Sequence, residues 1–228
     1  MPGYLHIENF ANALNKGKML FAFKNTGIIT FFTVLGTTLL GALGAYPLAR
    51  NPSRLNKGIR ALLIGIMIVP PLSILVPLYS TMVALKGISR YWGIVTVLVT
   101  FSLPTSCFLI SNFISSIPKA LDESAAIDGC SSIRTFFSII IPQLHPILST
   151  VILLTCISTW NDYQFSLYLL QSAKMKTITM AIAGFFSQTL TDLNGAAAAA
   201  VMAVLPVIVI FVFSQKYFIS GLLDGAIK

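Results

Sequence analysis

Five stretches of this chain carry no charged side chain over the length of a membrane-crossing helix, and nothing else in the sequence constrains the fold as strongly. They run from Asn25 to Ala49, Ala61 to Leu85, Tyr91 to Pro118, Thr135 to Asn161 and Leu193 to Gln215. A spanning helix needs about 20 consecutive, mostly apolar residues. Of the 228 residues 56% are hydrophobic and 10% charged, against roughly 25% charged in soluble domains. A soluble globule of this size could not hide that much apolar surface, and disorder is excluded on the same ground. Runs such as Ile64–Val69 and Val204–Phe213 are apolar on every side, whereas the strands of a transmembrane barrel alternate over about ten residues. The expected fold is all-α, a polytopic transmembrane helix bundle.

Pro142, Gln143, His145 and Pro146 cluster early in the fourth gap, so that span is placed at 147–170, with Asp162 inside it. The predicted spans are 25–49, 61–85, 91–115, 147–170 and 195–217, within a transmembrane domain 25–228. Arg50, Arg54, Lys57 and Arg60 make the loop between the first two the densest in positive charge, which assigns it to the cytoplasm. Alternation then puts Lys86–Arg90 outside, the loop 116–146 inside, Gln171–Asn194 outside and the C-terminus inside. The N-terminal segment 1–24 comes out external. It carries Lys16, Lys18 and Lys24, an awkward start on the outside unless a helix precedes it. It shows no signal-peptide core; Leu5, Phe10, Leu14 and Leu20 mark a short amphipathic stretch instead. On a membrane protein the net charge of +8 reads as Lys and Arg at lipid headgroups, not as a nucleic-acid surface.

Seven acidic residues and two lone histidines, His6 and His145, leave little for acid/base or metal chemistry. Cys107, Cys130 and Cys156 lack metal-ligand spacing and read as small packing residues. No catalytic residue and no metal site is predicted. No G-x-x-x-x-G-K-[ST] loop is present to cradle phosphates.

The inside loop carries the most information. Ser116 is the expected N-cap and Pro118 a first-turn proline of a short helix. Asp122 and Glu123 sit early in it, where the helix dipole favours anions. Gly129 can end it in a left-handed cap. Ser131 or Ser132 can cap a second segment, Ile133–Ile141, which Pro142 is expected to stop. Ser124, Ala125 and Ala126 give the first helix a face that permits close approach. An exposed helix–Gly–helix knob of this kind suits docking into another protein's groove.

Glu123-Ser124-Ala125, then Gly129, then Ile139-x-Ile141-Pro142 resembles the EAA loop of ABC-importer permeases. That pattern is Glu-Ala-Ala, three residues, Gly, nine residues, Ile-x-Leu-Pro. Ser124 and Ile141 are mild departures. The rest of the chain is similar to the carbohydrate branch of this binding-protein-dependent family, the maltose-importer type. The similarity lies in Asn25-Thr26, Ala45–Arg50, Ile68–Pro71 with Pro77–Tyr79, Phe113–Pro118, Trp160–Asp162, Ala197–Pro206 and Gln215–Phe218 with Gly221-Leu222 and Gly225-Ala226. Members usually carry six spans, so the resemblance implies that the first is absent here.

The resemblance implies a bacterial inner-membrane permease subunit for a carbohydrate, an oligosaccharide by family preference. A second homologous permease would share the translocation path. Two cytoplasmic ATPases would hold ATP and Mg, with no cofactor on this chain, and an extracytoplasmic sugar-binding protein would deliver substrate. It implies that Glu123, Ser124, Ala125, Ala126, Asp128, Gly129, Ile139 and Pro142 couple to the ATPases. It further implies that the loop Gln171–Asn194, with Lys174, Lys176, Phe185, Phe186 and Gln188, reaches toward the binding protein; a re-entrant or interfacial helix over Thr177–Thr191 is compatible with that. Two readings stand for Asp162 with Asn161 and Tyr163: sugar contacts, or an interfacial aromatic belt with a structural Asp. Two stand for Pro70, Pro71 and Pro77: a pore-lining break with Ser73 and Tyr79 at hand, or a packing kink. Gly36, Gly41, Gly44 and Ala196–Ala200 read as close helix packing. The competing classes are an ion-coupled secondary carrier, which would show ionisable groups deep in several spans, a membrane enzyme, and a non-transporting scaffold subunit.

Overall fold

A computed structural model describes residues 7–186 and 192–226, with side chains described except at 16 and 213–226. Among the described residues the regular structure is helical and there is no strand. In order, the helices are α1 (Glu8–Lys16), α2 (Met19–Arg50), α3 (Arg54–Ile68), α4 (Leu75–Ala84), α5 (Tyr91–Ser116), α6 (Ala120–Ile127), α7 (Ser132–Thr135), α8 (Ile141–Gln143), α9 (His145–Trp160), α10 (Gln164–Leu169), α11 (Ile178–Ala183) and α12 (Leu193–Ala226).

Among the described residues three helical stretches are long and apolar enough to cross a membrane: Met19–Arg50, Tyr91–Ser116 and Leu193–Val212, with mean hydropathies of 1.9, 2.0 and 2.6. Each tolerates one internal proline, Pro47, Pro104 and Pro206 respectively. Two bent pairs raise the number to five if each counts as one span.

The first of those bends, and a separate break after α9, interrupt two of the expected spans. The stretch 61–85 is not one helix: α3 ends at Ile68, Pro71–Ile74 forms a 3₁₀ turn, and the two arms meet at 95°. Consecutive prolines remove two backbone donors and hold the preceding residue extended; Val69, at φ −73° and ψ 121°, is in that conformation. The stretch 147–170 is also interrupted. α9 stops at Trp160, so Asp162 lies in the break before α10 and not inside a helix.

Two helix signals in the inside loop also act differently from expectation. Ser116 belongs to the end of α5, where its hydroxyl donates back to the Phe113 carbonyl. The residue capping α6 is Lys119, which supplies no side-chain bond. Pro142 does not stop the second segment. A π-helical turn over Phe136–Ile140 precedes it, with the Ile141 N–H reaching the Phe136 carbonyl, and the chain runs on to Gln143 before bending by 77° into α9. A π turn shifts the hydrogen-bond register by one residue, which accommodates the donor missing at proline.

The chain divides into two units. The first takes in Met1–Thr33, Leu75–Leu98 and Cys156–Phe213, and the second Val34–Ile74, Val99–Thr155 and Ser214–Lys228. The core of the first is built on small residues, Ala13, Ala22, Ala181, Ala196, Ala198, Ala199 and Ala203, around Met19, Trp160, Ile178 and Phe185. The Trp160 indole N–H donates to the Ala203 carbonyl at 3.1 Å. The core of the second packs Ala42 and Ala45 of α2 against Ile110, Ile114 and Ile117, with Phe136, Ile140, Leu144, Ile147 and Val151. Close approach is required there. A Cβ on Gly41 would overlap the Ser106 hydroxyl, and one on Gly36 would stand 3.0 Å from a Val99 methyl.

Candidate functional site

The loop from Ile117 to Leu144 lies in the second unit. α6 begins with Asp122 and Glu123 in its first turn and ends in a left-handed glycine. Gly129 has φ +76°; its N–H donates to the Ala126 carbonyl at 3.1 Å, and the Cys130 N–H to the Ala125 carbonyl at 2.9 Å. Those two bonds are the signature of a Schellman cap, which needs a left-handed residue at this place. The Ser131 hydroxyl then accepts from the Arg134 N–H and starts α7.

Of the residues assigned to coupling, Glu123, Ser124, Ala126, Asp128, Gly129 and Pro142 are exposed, and Ile139 is half-buried. Ala125 is buried and packs the helix onto the protein. Around the exposed set stand large apolar side chains: Ile127 at 87% exposure, Ile133 at 72% and Phe137 at 55%. The knob therefore carries an apolar surface with acidic groups among it.

The inner side of the same helix is tied down by Arg50 and Asp122, read from sequence only as a loop charge and a helix-dipole charge, together with Tyr46. The Tyr46 hydroxyl donates to Asp122 Oδ1 at 2.7 Å. Arg50 pairs with Asp122 Oδ2 at 2.9 Å, and its other guanidinium nitrogen donates to the Ile117 carbonyl at 2.9 Å. The Tyr46 ring packs on Phe136 with centroids 5.1 Å apart. The available signal was the pair Tyr46 and Arg50, four residues apart and so on one face of a helix end that is otherwise apolar.

The first unit gathers the segments assigned to the opposite side. The Asn25 amide donates to the carbonyls of Lys174 and Lys176 at 3.0 and 2.9 Å, and its oxygen accepts from the Tyr91 hydroxyl at 2.7 Å. The Ile178 N–H donates to the Thr26 hydroxyl. Ser89, at φ +53°, donates its N–H to the Leu169 carbonyl and accepts from the Ser172 N–H. Lys174, Lys176 and Phe186 are exposed. Phe185, grouped with them from sequence, is 8% exposed and fills the core next to Gly17 and Gly195. Gln188 lies outside the described residues.

The candidate path residues divide between the units. Pro71 and Ser73 are exposed in the second, the Ser73 hydroxyl donating to the Pro70 carbonyl at 2.7 Å. Tyr79 is in the first and accepts from the Gln171 amide at 2.9 Å. Asn161 and Tyr163 are exposed there. Asp162 acts as a helix cap. One carboxylate oxygen accepts from the Ser166 N–H at 2.8 Å and hydroxyl at 2.7 Å, and the other from the Phe165 N–H at 3.3 Å. That geometry favours the structural reading of this acid. Among the described residues no group of His, Cys, Asp and Glu is arranged to hold a metal ion.

Residues 27–223 match the family described as the binding-protein-dependent transport system inner membrane component. The melibiose/raffinose/stachyose import permease MelC of Bacillus subtilis is 44% identical over 228 residues, covering all of this chain and 83% of the relative. The arabinooligosaccharides transport permease AraQ of the same species is 30% identical, covering all of this chain and 80% of AraQ. The trehalose/maltose transport permease MalG of Thermococcus litoralis is 29% identical over 97% of this chain and 81% of its own length. Among solved structures, a bacterial ABC transporter involved in import of the acidic polysaccharide alginate has a similar fold. The TM-score is 0.82 at 22% identity, over 96% of this chain and 81% of that one. The expected all-α membrane bundle is borne out, and the chain belongs to the family of inner-membrane permease components of binding-protein-dependent transport systems, whose curated relatives here are sugar permeases.

Proposed function

We propose that this chain is one of two permease subunits of an ATP-driven importer for an oligosaccharide, coupled through its loop 116–146 to two cytoplasmic ATPases. The observation that carries the proposal is the Schellman-capped helix α6, presenting Glu123 and Asp128 beside the exposed Ile127, Ile133 and Phe137. Exposed apolar side chains grouped with charges on a folded knob mark a protein-binding surface. ATP and Mg belong to the ATPases. This chain supplies the lever and no chemistry.

The same reading gives α3 and α4 a partner. α3 and the turn Pro71–Ile74 have no buried residue, and α4 has only Met82. A backbone broken by consecutive prolines is tolerated only against protein or a water-filled cavity, never against lipid. A second permease that completes a wet path along this break provides that setting. The contacts of Asn25, Ser89 and Thr26 with 169–178 join segments assigned to the outside, and those of Arg50 with Ile117 and Asp122 join segments assigned to the cytoplasm. That supports an external loop 171–194 facing a sugar-binding protein and a cytoplasmic loop 116–146; the cytoplasmic C-terminus follows from the alternation of the spans. An oligosaccharide substrate is drawn from the names of the relatives MelC and AraQ.

The test is mass spectrometry of what co-purifies with the tagged chain from its native membrane in mild detergent. The expected result is an ATPase with a phosphate-binding loop, a second permease carrying an EAA loop and a sugar-binding protein. A chain purified alone in stable form would overturn the proposal.

A further inference from the structure

We propose that Arg50, Tyr46 and Asp122 are positioning residues that make α6 and α2 move as one body, so that force applied at α6 reaches the long helix directly. The inference rests on the coupling role of the loop and goes beyond it, because none of these three residues belongs to the exposed coupling surface.

Adjacent residues of an α-helix project about 100° apart. Asp122 and Glu123 use this difference. Glu123 is exposed, while Asp122 turns inward, with 19% of its side chain accessible. Both of its carboxylate oxygens are engaged by α2, Oδ1 by the Tyr46 hydroxyl at 2.7 Å and Oδ2 by the Arg50 guanidinium at 2.9 Å. Tyr46 and Arg50 lie one turn apart on α2, so the carboxylate is gripped at two heights and cannot pivot about one contact. Arg50, 11% accessible, also holds the Ile117 carbonyl just beyond α5. One guanidinium thus joins the end of α2, the exit of α5 and the start of α6. On the other side of the grip the Tyr46 ring rests on Phe136 of the π turn, so the second half of the knob is fixed to the same side chain. The Arg50–Asp122 contact is an ion pair without hydrogen-bond alignment, and its partial burial leaves it less screened than the same pair on an open surface. A knob joined to the bundle only by exposed loops would absorb a push by bending. This one transmits it.

The test uses the whole importer, with both permeases, the ATPases and the binding protein, reconstituted in liposomes. The readout is the ratio of ATP hydrolysis with and without the binding protein purified from the same cells. Asp122→Asn and Arg50→Gln are expected to reduce that stimulation at least fivefold, with the subunits still co-purifying in wild-type proportion. The exchanged pair Arg50→Asp with Asp122→Arg is expected to recover at least half of it. Tyr46→Phe keeps the ring on Phe136 and the ion pair, and is expected to reduce stimulation about twofold. It decides the matter if the charge variants do not assemble. Full stimulation in Asp122→Asn, a Tyr46→Phe complex that assembles with unchanged stimulation, or a loss confined to complex yield and thermal stability would overturn the proposal. A wild-type complex whose ATPase ignores the binding protein would instead overturn the coupling reading beneath it, and this inference with it.

Discussion

Substitution at Gly129 separates backbone conformation from steric contact, because a Cβ added there would meet nothing within 4 Å. Whatever an alanine costs at this position in the free subunit is then conformational. An L-residue with a Cβ held at φ +76° loses about 1–2 kcal/mol. The turn is held by two backbone bonds, Gly129 N–H to Ala126 and Cys130 N–H to Ala125, each worth about 1 kcal/mol net. Cost and grip are therefore of the same size. Gly129→Ala should bring the turn close to balance with alternatives that unwind the end of α6. Gly129→Val, β-branched and a true outlier at positive φ, should push it past balance. Gly129→Asn, which tolerates the left-handed region, should remain near wild type. Gly129→Asp has the shape of asparagine but adds a carboxylate near Asp128 and Glu123, and should abolish coupled uptake. The assay is uptake together with binding-protein-stimulated ATP hydrolysis, at equal amounts of membrane-inserted subunit. The expected order is Gly, Asn, Ala, Val, with Asp at the floor and insertion unchanged throughout. Asn falling below Ala would refute the conformational account, because the penalty would then follow side-chain size against a bound partner. Wild-type uptake in Gly129→Asp would refute the coupling assignment itself.

Two further outcomes follow from the first unit. Asp162→Ala removes the cap of α10 and should cost about 1 kcal/mol, lowering the melting temperature of the purified complex while the KM for the transported sugar stays unchanged; a tenfold rise in KM with unaltered melting would return Asp162 to the substrate path. Asn25→Ala removes three hydrogen bonds, two to the carbonyls of Lys174 and Lys176 and one from Tyr91. At about 1 kcal/mol each, allowing for water replacing part of them, backbone exchange over 171–178 should quicken by tenfold or more, whereas protection no faster than in α5 would show that Asn25 does not hold the loop.

The helices legible in the sequence are those governed by one simple quantity. α2, α5 and α12 each contain an uncharged stretch longer than the bilayer requires, and a count of charges finds them. The segments that broke were governed by something a count ignores. Val69 before Pro70 and Pro71, and the turn at Asn161–Tyr163, interrupt apolar stretches without any charge at the bend apart from Asp162. Pro142 misled in the opposite direction. Its missing donor was expected to end the helix, but the π turn over Phe136–Ile140 moved the register by one residue and let the chain continue. A proline states which bond is missing; whether the helix survives depends on the turn before it.

The site shows the same division at the level of single side chains. Gly129 was legible because a glycine after a short helix has one common use, and φ +76° is that use. Asp122 was not, because from sequence it differs from Glu123 only by a methylene and a position. Its role is decided by the partners it meets, and those lie 72 and 76 positions earlier in the chain at Arg50 and Tyr46. The burial of Phe185 was not legible for the complementary reason. Phe185 sits beside Phe186 in a segment read as an external loop, yet the small residues Gly17 and Gly195 leave room for its ring inside. In a bundle whose lipid-facing surface is as apolar as its core, hydrophobicity does not separate inside from outside. What separates them is the size of the residue opposite, and in this chain the glycines and alanines of α1 and α12 say where the large side chains go.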